Sequence, residues 1–377
     1  MNPHVELNSN FNSDKDDSIS FTLSGVNVSI ANAIRRTILS DIPIVVFKTA
    51  PYEENKANII ANTTRLNNEI LKQRLSCIPI HIKNTEDFPF KNYILEVNVE
   101  NITDTTMYVT TKDFIIKDNV TGKPVSESKI REIFPADDYT GYFIDFVRLR
   151  PKVSDEIPGG KIHLTCEFSL STAKVDGMFN VVSTCSYGFT VDTVSQDAIL
   201  EKYKQTWKDE GKNEEDIKFE EKNWKLLDGL RVTKKDSFDF IIQSIGVYTN
   251  YELLNKACEI LIDKLDEIDT LIEKDELKIE KSMNTMSNSF DIILENEDYT
   301  IGKVLEYFIY SKFYETKIIT FCGFKKMHPH DSESIIRVAY KDAIDKSIIK
   351  GNLKECIEDS KQVFGKIKKE FLRFVKN

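Results

Sequence analysis

The stretch Ile19-Ser-Phe-Thr-Leu23, then Ile30-Ala-Asn-Ala-Ile-Arg-Arg-Thr-Ile38, then Ile42-Pro-Ile-Val-Val-Phe47 decides the reading of this chain. Apolar and polar residues alternate in the first piece, as in a half-buried strand. Ile30, Ile34 and Ile38 form one stripe of a helix over Val28–Leu39. Pro43 ends it, because proline lacks a backbone donor and restricts the residue before it. The same order returns far down the chain, as Phe290-Asp-Ile-Ile-Leu294, Ile301-Gly-Lys-Val-Leu-Glu-Tyr-Phe-Ile309 and Ile318-Ile-Thr-Phe321. Ile301, Val304, Leu305, Phe308 and Ile309 keep the i, i+3, i+4, i+7, i+8 pattern of an amphipathic helix.

Each copy then closes with a strand (Phe238–Ile242 and Ser334–Tyr340) and a long helix. The first of these helices carries Leu254, Cys258, Leu261, Leu265, Ile268 and Ile272 in alternating steps of four and three, a heptad seam. The second carries Ile349, Leu353, Ile357, Phe364, Ile367, Phe371 and Phe374. A strand-helix-strand unit buries only one face of its sheet, so two such units close a shared core by packing helix on helix. The expected fold is α+β, with two like units paired inside one chain as a pseudo-dimer. Its expected interface residues are Leu254, Cys258, Leu261, Leu265, Ile301, Leu305, Phe308, Phe364, Ile367 and Phe371.

Outward from this frame, residues 1–17 are polar and acidic and read as a mobile tail. A second helix is expected over Thr64–Ser76, with Leu66, Ile70 and Leu75 inward and Asn62 or Thr63 as its cap. Residues 82–164 hold short β-rich runs (Tyr93–Val99, Met107–Thr111, Phe143–Leu149), and Pro158-Gly-Gly160 marks a tight return before Lys161–Leu170. They read as an inserted β-rich domain. The larger unit is then discontinuous, residues 18–81 and 165–272. Residues 196–228 are densely charged and read as a solvated helix-loop connection. Residues 273–288 read as a linker, and 289–377 as the smaller unit.

Charged residues make up 30% of the 377 and apolar residues 41%, the balance of a soluble folded protein. A net charge of −10 speaks against a non-specific grip on nucleic acid. The longest apolar run, Ile42–Phe47, is far too short to span a bilayer, and the N-terminus lacks the features of a signal peptide. The six cysteines form no Cys-x-x-Cys pair and sit in apolar stretches, which fits reduced thiols in a reducing intracellular compartment.

Several ordered motifs carry a family resemblance. Asn32-Ala-Ile-Arg-Arg-Thr-Ile-Leu-Ser40, Asn62-Thr-Thr-Arg-Leu-Asn-Asn-Glu69, Arg74-Leu75, Ile78-Pro79-Ile80, Val147-Arg-Leu-Arg-Pro151, Ala173–Tyr187 and Lys235–Ile272 resemble the larger alpha-like assembly subunit of multisubunit DNA-dependent RNA polymerases. Tyr299-Thr-Ile-Gly-Lys-Val-Leu305, Phe321-Cys-Gly-Phe324, His328-Pro329-His330 and Ile335-Ile-Arg-Val338 resemble its smaller partner. The two units are then alpha-subunit-like dimerisation units, archaeal D-like and L-like, fused in one chain. Such a fusion resembles what large cytoplasmic DNA viruses carry. The resemblance implies a non-catalytic scaffold; no cofactor and no metal is expected in this chain. Its implied partners are the largest and second-largest polymerase subunits and small polymerase subunits, with no sequence-specific DNA contact and no membrane. It also implies a setting in the cytoplasm of an infected cell or a virion if viral, and otherwise in nucleus or cytoplasm. The alternatives are an adaptor that uses the same fold outside the polymerase and a self-contained enzyme with a site between the halves; the sequence offers no cofactor motif for the latter.

Asn32, Arg35, Arg36, Glu69 and Arg74 are the candidate subunit-interface residues. Arginines in mid-helix are ordinarily a solvated face; the family resemblance makes Arg35 and Arg36 contacts to a large subunit, where a guanidinium fork suits carboxylate or backbone partners. Glu69 and Arg74 lie five apart, too far around a helix to pair well, so they read as independent surface charges or as an interface. Some family members hold a metal through cysteines in the insertion; residues 78–165 contain none here. His328 and His330 have no third ligand nearby and read as a turn.

Overall fold

The computed structural model describes residues 1–8, 18–84, 89–283 and 285–375. In chain order, β1 (His4–Leu7) and β2 (Ser18–Ser24) lead into α1 (Val28–Ser40), and β3 (Ile44–Val46) and β4 (Ala57–Asn62) into α2 (Asn68–Ser76). Then come β5 (Tyr93–Glu100), β6 (Met107–Thr110), β7 (Ile115–Asp118), α3 (Glu127–Ile133), β8 (Asp145–Leu149), β9 (Lys161–Glu167), β10 (Ser169–Ser171) and β11 (Val182–Val191). Paired helices α4 (Thr193–Asp209) and α5 (Glu214–Leu226) follow, then β12 (Thr233–Ser244) and α6 (Asn250–Glu273). The second half is β13 (Ile279–Lys281), β14 (Ser289–Glu295), α7 (Tyr299–Ile309), β15 (Ile319–Lys325), β16 (Glu333–Tyr340) and α8 (Lys346–Val375). Two compact units result, one of residues 1–38, 184–243 and 250–377, the other of residues 39–183 and 244–249.

The first unit holds both halves of the repeat. Its two antiparallel sheets run β1-β2-β12-β11 and β13-β14-β16-β15. One shift of 271 residues carries Ser18 onto Ser289, Val28 onto Tyr299, and the cap residue Asn27 onto Asp298. Asn27 Oδ1 accepts the Ser29 amide at 2.9 Å, and Asp298 Oδ1 accepts the Thr300 amide at 2.8 Å, so both helices start with a short side chain holding a free amide. Ile30, Ala31, Ile34 and Ile38 on α1 are buried, as are Ile301, Gly302, Leu305 and Ile309 on α7. Gly302 is demanded by packing: a Cβ there would lie 2.0 Å from the Phe324 ring of β15. Phe308 and Phe313 are buried as well, the latter in a π-helical turn, Tyr310–Tyr314, that continues α7.

Helices α6 and α8 pack along their length. Leu254, Cys258, Leu261, Leu265, Ile268 and Ile272 are buried on one, and Ile349, Leu353, Ile357, Phe364, Ile367 and Phe371 on the other; Phe374 is half-buried. Phe371 meets Phe21 of β2 edge-on at 4.8 Å, and Phe21 stacks on Phe240 of β12 at 5.1 Å. Glu259 bonds Lys368 at 2.6 Å, Asp266 bonds Lys361 at 2.8 Å, and Glu273 bonds Lys354 at 2.9 Å. The acids climb α6 in steps of seven as the lysines descend α8 in steps of seven, so the helices run antiparallel in heptad register. Burying one Leu or Phe contributes about 1.5–3 kcal/mol, whereas an exposed ion pair contributes about 1 kcal/mol or less. The apolar stripe therefore holds the helices together.

Three expectations change in this unit. The tail expected over 1–17 contains strand β1, whose His4–Leu7 pair with Ser24–Phe21; Val5 is buried, and residues 9–17 lie outside the described residues. The linker expected over 273–288 contains β13, paired to β14, with Leu277 and Ile279 buried; two apolar residues in a polar stretch were enough to add an edge strand. The connection expected over 196–228 is a helical hairpin with its own small core. Tyr203 lies 5.9 Å from Trp207 and 5.7 Å from Trp224, Lys204–Glu221 ties the two helices together, and Lys212 of the connecting turn pairs with Glu220.

The second unit is β-rich. Its sheet runs β4-β9-β5-β7, with the two-stranded pairs β6-β8 and β3-β10 beside it. Its core is a cluster of aromatic rings: Phe114 lies 5.3 Å from Phe134 and 5.7 Å from Phe146, and Phe47 lies 5.1 Å from Phe168. The unit starts earlier than the expected insertion, because β4 pairs with β9, and Phe47, Leu71, Leu75 and Ile78 join the same core. Asn101 is buried; its amide donates to the Thr105 and Arg150 carbonyls at 2.7 and 3.1 Å. Gly159 passes against the Asn101 backbone, leaving no room for a Cβ, which fixes the return at Pro158–Gly160. Helix α2 begins at Asn68 rather than Thr64: Asn67 is its cap, accepting the Ile70 amide at 2.8 Å. Leu71 and Leu75 face in and Ile70 faces out, while Asn62 instead braces the preceding turn through Leu66 and Thr64.

Candidate functional site

The expected interface residues fall into two groups. Asn32, Arg35 and Arg36 lie together on α1. Arg35 folds back along its own helix, its Nε and Nη2 donating to Asn32 Oδ1 at 3.1 and 3.0 Å. Arg36 points to the other half of the repeat: Nη2 donates to Asp298 Oδ2 at 2.7 Å and Nε to Thr300 Oγ1 at 2.9 Å. Asp298 thus serves twice, capping α7 with one carboxylate oxygen and holding Arg36 with the other. A charged fork of this kind fixes angle as well as distance.

Applying the repeat shift, Tyr307 is the counterpart of Arg36, and Ser29 that of Thr300. Tyr307 and Ser29 make no clasp. They line a surface cavity of about 420 Å³ together with Val28, Asn32, Tyr187, Lys303, Glu306 and Tyr310. Glu306 is held by Lys303 at 2.5 Å and by the Phe324 amide at 3.1 Å, so α7 is braced against β15. Tyr187 is pushed up by burial and pulled back by the Arg35 charge. One face of α1 is therefore engaged within the chain through Arg36, and the adjoining face, with Val28, Ser29 and Asn32, borders an open groove of aromatic and polar groups, Arg35 reaching it only through its bonds to Asn32.

Glu69 and Arg74 belong to the second unit. Glu69 stands exposed in the first turn of α2, where a carboxylate favours the helix dipole. Arg74 is taken up locally, Nε donating to the Phe146 carbonyl at 2.7 Å and Nη2 to the Asp145 carbonyl at 2.8 Å, which ties α2 to β8. Around that tie Arg65, Arg74, Arg148 and Arg150 border a cavity of about 450 Å³. In a chain of net charge −10 this is a local concentration of positive charge, suited to acidic groups of a partner.

The titrating groups are those of a braced framework. Burial pushes the thiols of Cys185, Cys258, Cys322 and Cys356 up to about 12, which holds them in the non-nucleophilic thiol form. Lys368 holds Glu259 below the ordinary carboxylate value, and Lys354 does the same for Glu273. His328 and His330 are exposed, with ring centroids 5.2 Å apart and the His330 amide donating to His328 Nδ1 at 3.2 Å. Among the described residues no group of three or more His, Cys, Asp or Glu is placed to hold a metal ion, and no helix is long and apolar enough to cross a membrane.

Sequence reading missed Asp298 and Thr300. The signal was present, since Asp298 precedes the second helical stripe by the interval at which Asn27 precedes the first. It also missed the acids at heptad spacing on α6, which flank the apolar seam in plain sight.

Comparison with known proteins follows the same division. A model of the RNA polymerase Rpb3/Rpb11 dimerisation domain matches residues 20–265, and a second model of the same description matches residues 289–370. The chain is 26% identical over 299 residues to the DNA-directed RNA polymerases I and III subunit rpac1 of Dictyostelium discoideum, covering 70% of this chain and 81% of that one. It is 24% identical over 311 residues to the DNA-directed RNA polymerases IV and V subunit 3B of Arabidopsis thaliana, covering 70% and 91%. A segment of 66 residues is 41% identical to the DNA-directed RNA polymerase subunit Rpo3 of Pyrococcus furiosus, covering 18% and 23%.

Proposed function

We propose, because this chain belongs to the RNA polymerase Rpb3/Rpb11 dimerisation-domain family, that it is an alpha-like subunit of a DNA-directed RNA polymerase with both dimerisation partners fused in one polypeptide. Its work is assembly. The paired halves form a platform on which the largest and second-largest subunits are brought together, with small subunits at the joints, and the chain performs no chemistry of its own. The observation that carries this reading is that two matches to one dimerisation family lie in a single chain and their trailing helices α6 and α8 pack on each other. The buried thiols of Cys166, Cys185, Cys258 and Cys356 suit a reducing intracellular compartment, and Cys77, expected inside, is exposed.

Two surfaces are offered to partners in this reading. One is the groove lined by Asn32 on α1 with Tyr187, Tyr307 and Tyr310, next to Arg35, which donates to Asn32. The other is the arginine group around Arg74, with Glu69 exposed on the same helix. Arg36 is engaged inside the chain, so the contact role falls to Arg35. The test is affinity purification of the tagged chain from its native setting, with mass spectrometry of what accompanies it. Recovery of two very large polymerase subunits in stoichiometric amounts is expected; recovery of the chain alone after gentle lysis would sink the scaffold reading. Arg35→Ala is expected to leave the melting temperature within about 2 °C, as for most surface changes, and to reduce recovery of a large subunit.

A further inference from the structure

The apolar seam does not by itself choose its partner. Hydrophobic burial is non-directional, and α1, α7, α6 and α8 each carry an apolar stripe. Three pairings would bury such stripes: first half with second, first with first, and second with second. The polar contacts across the seam are not so permissive. On α6 the flanking residues at heptad spacing are all acids, Glu259, Asp266 and Glu273; those facing them on α8 are all lysines, Lys368, Lys361 and Lys354. At the other contact Arg36 of the first half meets Asp298 and Thr300 of the second.

We propose that these four ion pairs are a recognition code that makes the first half pair only with a second half. Two first halves would set Arg36 against Asn27 and Ser29, with no carboxylate, and would leave the three α6 acids without lysines. Two second halves would leave the three lysines without those acids, and would set Tyr307 against Asp298. Each pair is partly exposed and adds little stability alone. Flanking charges of this kind nevertheless set partner choice in paired helices, because wrong pairings lose every attraction at once and gain repulsion. Stability and choice are thus carried by different residues of one interface.

The test uses two versions of the full chain. One carries Glu259→Lys, Asp266→Lys and Glu273→Lys, so that lysine faces lysine inside it. The other carries Lys354→Glu, Lys361→Glu and Lys368→Glu, so that acid faces acid. Mixed or co-expressed, the two can satisfy every pair only by exchanging halves. The expected result is that each alone melts below the native chain, and that together they form mixed complexes with equal amounts of both chains. Native mass spectrometry would read the masses, and the mixed species should weaken in about 1 M salt, where screening falls to about 3 Å. If either version fails to fold alone, rescue on co-expression is the supporting result and its absence overturns the proposal. Native melting temperatures with no mixed complex would overturn it too. A smaller version asks the same of the clasp: Arg36→Asp should lower the melting temperature by roughly 2–4 °C, Asp298→Arg by more because it also removes the α7 cap, and the double variant should recover the share lost at the clasp but not the cap. Strictly additive losses would remove the clasp from the code.

Discussion

The two halves of the repeat agree in their apolar positions and disagree in their polar ones. In the first, Ser20 faces Ile241 across the sheet and Thr22 faces Asp239; in the second, the corresponding positions are Asp291 facing Arg337 and Ile293 facing Ile335. A polar cross-strand pair is present in each, but displaced by two residues along the strand. Thr22 bonds Asp239 at 2.7 Å, whereas Arg337 grips Asp291 with two nitrogens at 2.6 Å. On the helices, Arg36 stands where the second half has Tyr307, and Ala31 where it has Gly302. The apolar frame is what the fold demands of any copy. The polar positions are free of that demand, so they are where the copies acquired separate identities.

The frame is the part most expensive to damage. Leu261 is fully buried in the α6 seam. Truncating such a leucine costs about 2–5 kcal/mol, and Leu261→Asp adds the desolvation of a carboxylate. With total stabilities of about 5–15 kcal/mol, this variant is expected to unfold or to lose most of its urea resistance. A near-native urea midpoint would show that the seam is not the shared element we take it to be.

The second comparison turns on one methyl group. Gly302→Ala gains helix propensity but drives a carbon into the Phe324 ring, and is expected to destabilise by about 1–2 kcal/mol. Ala31→Gly, at the equivalent place, loses helix propensity and a buried methyl and should cost about 1–2 kcal/mol. Chemical denaturation of the two variants separates the causes: a truncation Phe324→Leu should relieve the first and leave the second untouched.

The smallest difference lies in pH dependence. The Arg337 guanidinium holds Asp291 below the ordinary carboxylate value, and the Ser282 hydroxyl helps. A depressed carboxylate adds stability that is fully present above its unfolded value, about 3.9, and is lost as pH falls through the lower folded value. The native chain should therefore lose stability from about pH 4 downward, and Asp291→Asn should flatten that part of the curve while lowering stability at neutral pH. An unchanged acid limb in the variant would assign the effect to other carboxylates.

Much of this frame was legible in the sequence, for a physical reason. Strands and helices that share a core must keep their periodicity, so Ile30, Ile34, Ile38 and the Leu254–Ile272 seam announced themselves, and the repeat made each half a check on the other. Short elements were not legible. β1 and β13 are three or four residues long, and a single buried side chain such as Val5 or Ile279 decides each of them. The start of α2 was misplaced because Asn62 and Thr63 offer the same capping chemistry as Asn67, the residue that takes the role. Arg36 was recognised as important but aimed outward, since a single arginine in a pattern does not say which carboxylate it will find; Asp298 lies 262 residues away.

The separation of α6 from α8 has a consequence for synthesis. Between the end of the first, Glu273, and the end of the second, Val375, lie about 100 residues. A ribosome adding roughly 5–20 residues per second needs on the order of 5–20 s to make them. Through that interval the nascent chain displays a row of leucines and isoleucines whose only fitting cover does not yet exist. A fragment that ends before Lys346 lacks α8 and so lacks the cover that the α6 stripe has in the full chain.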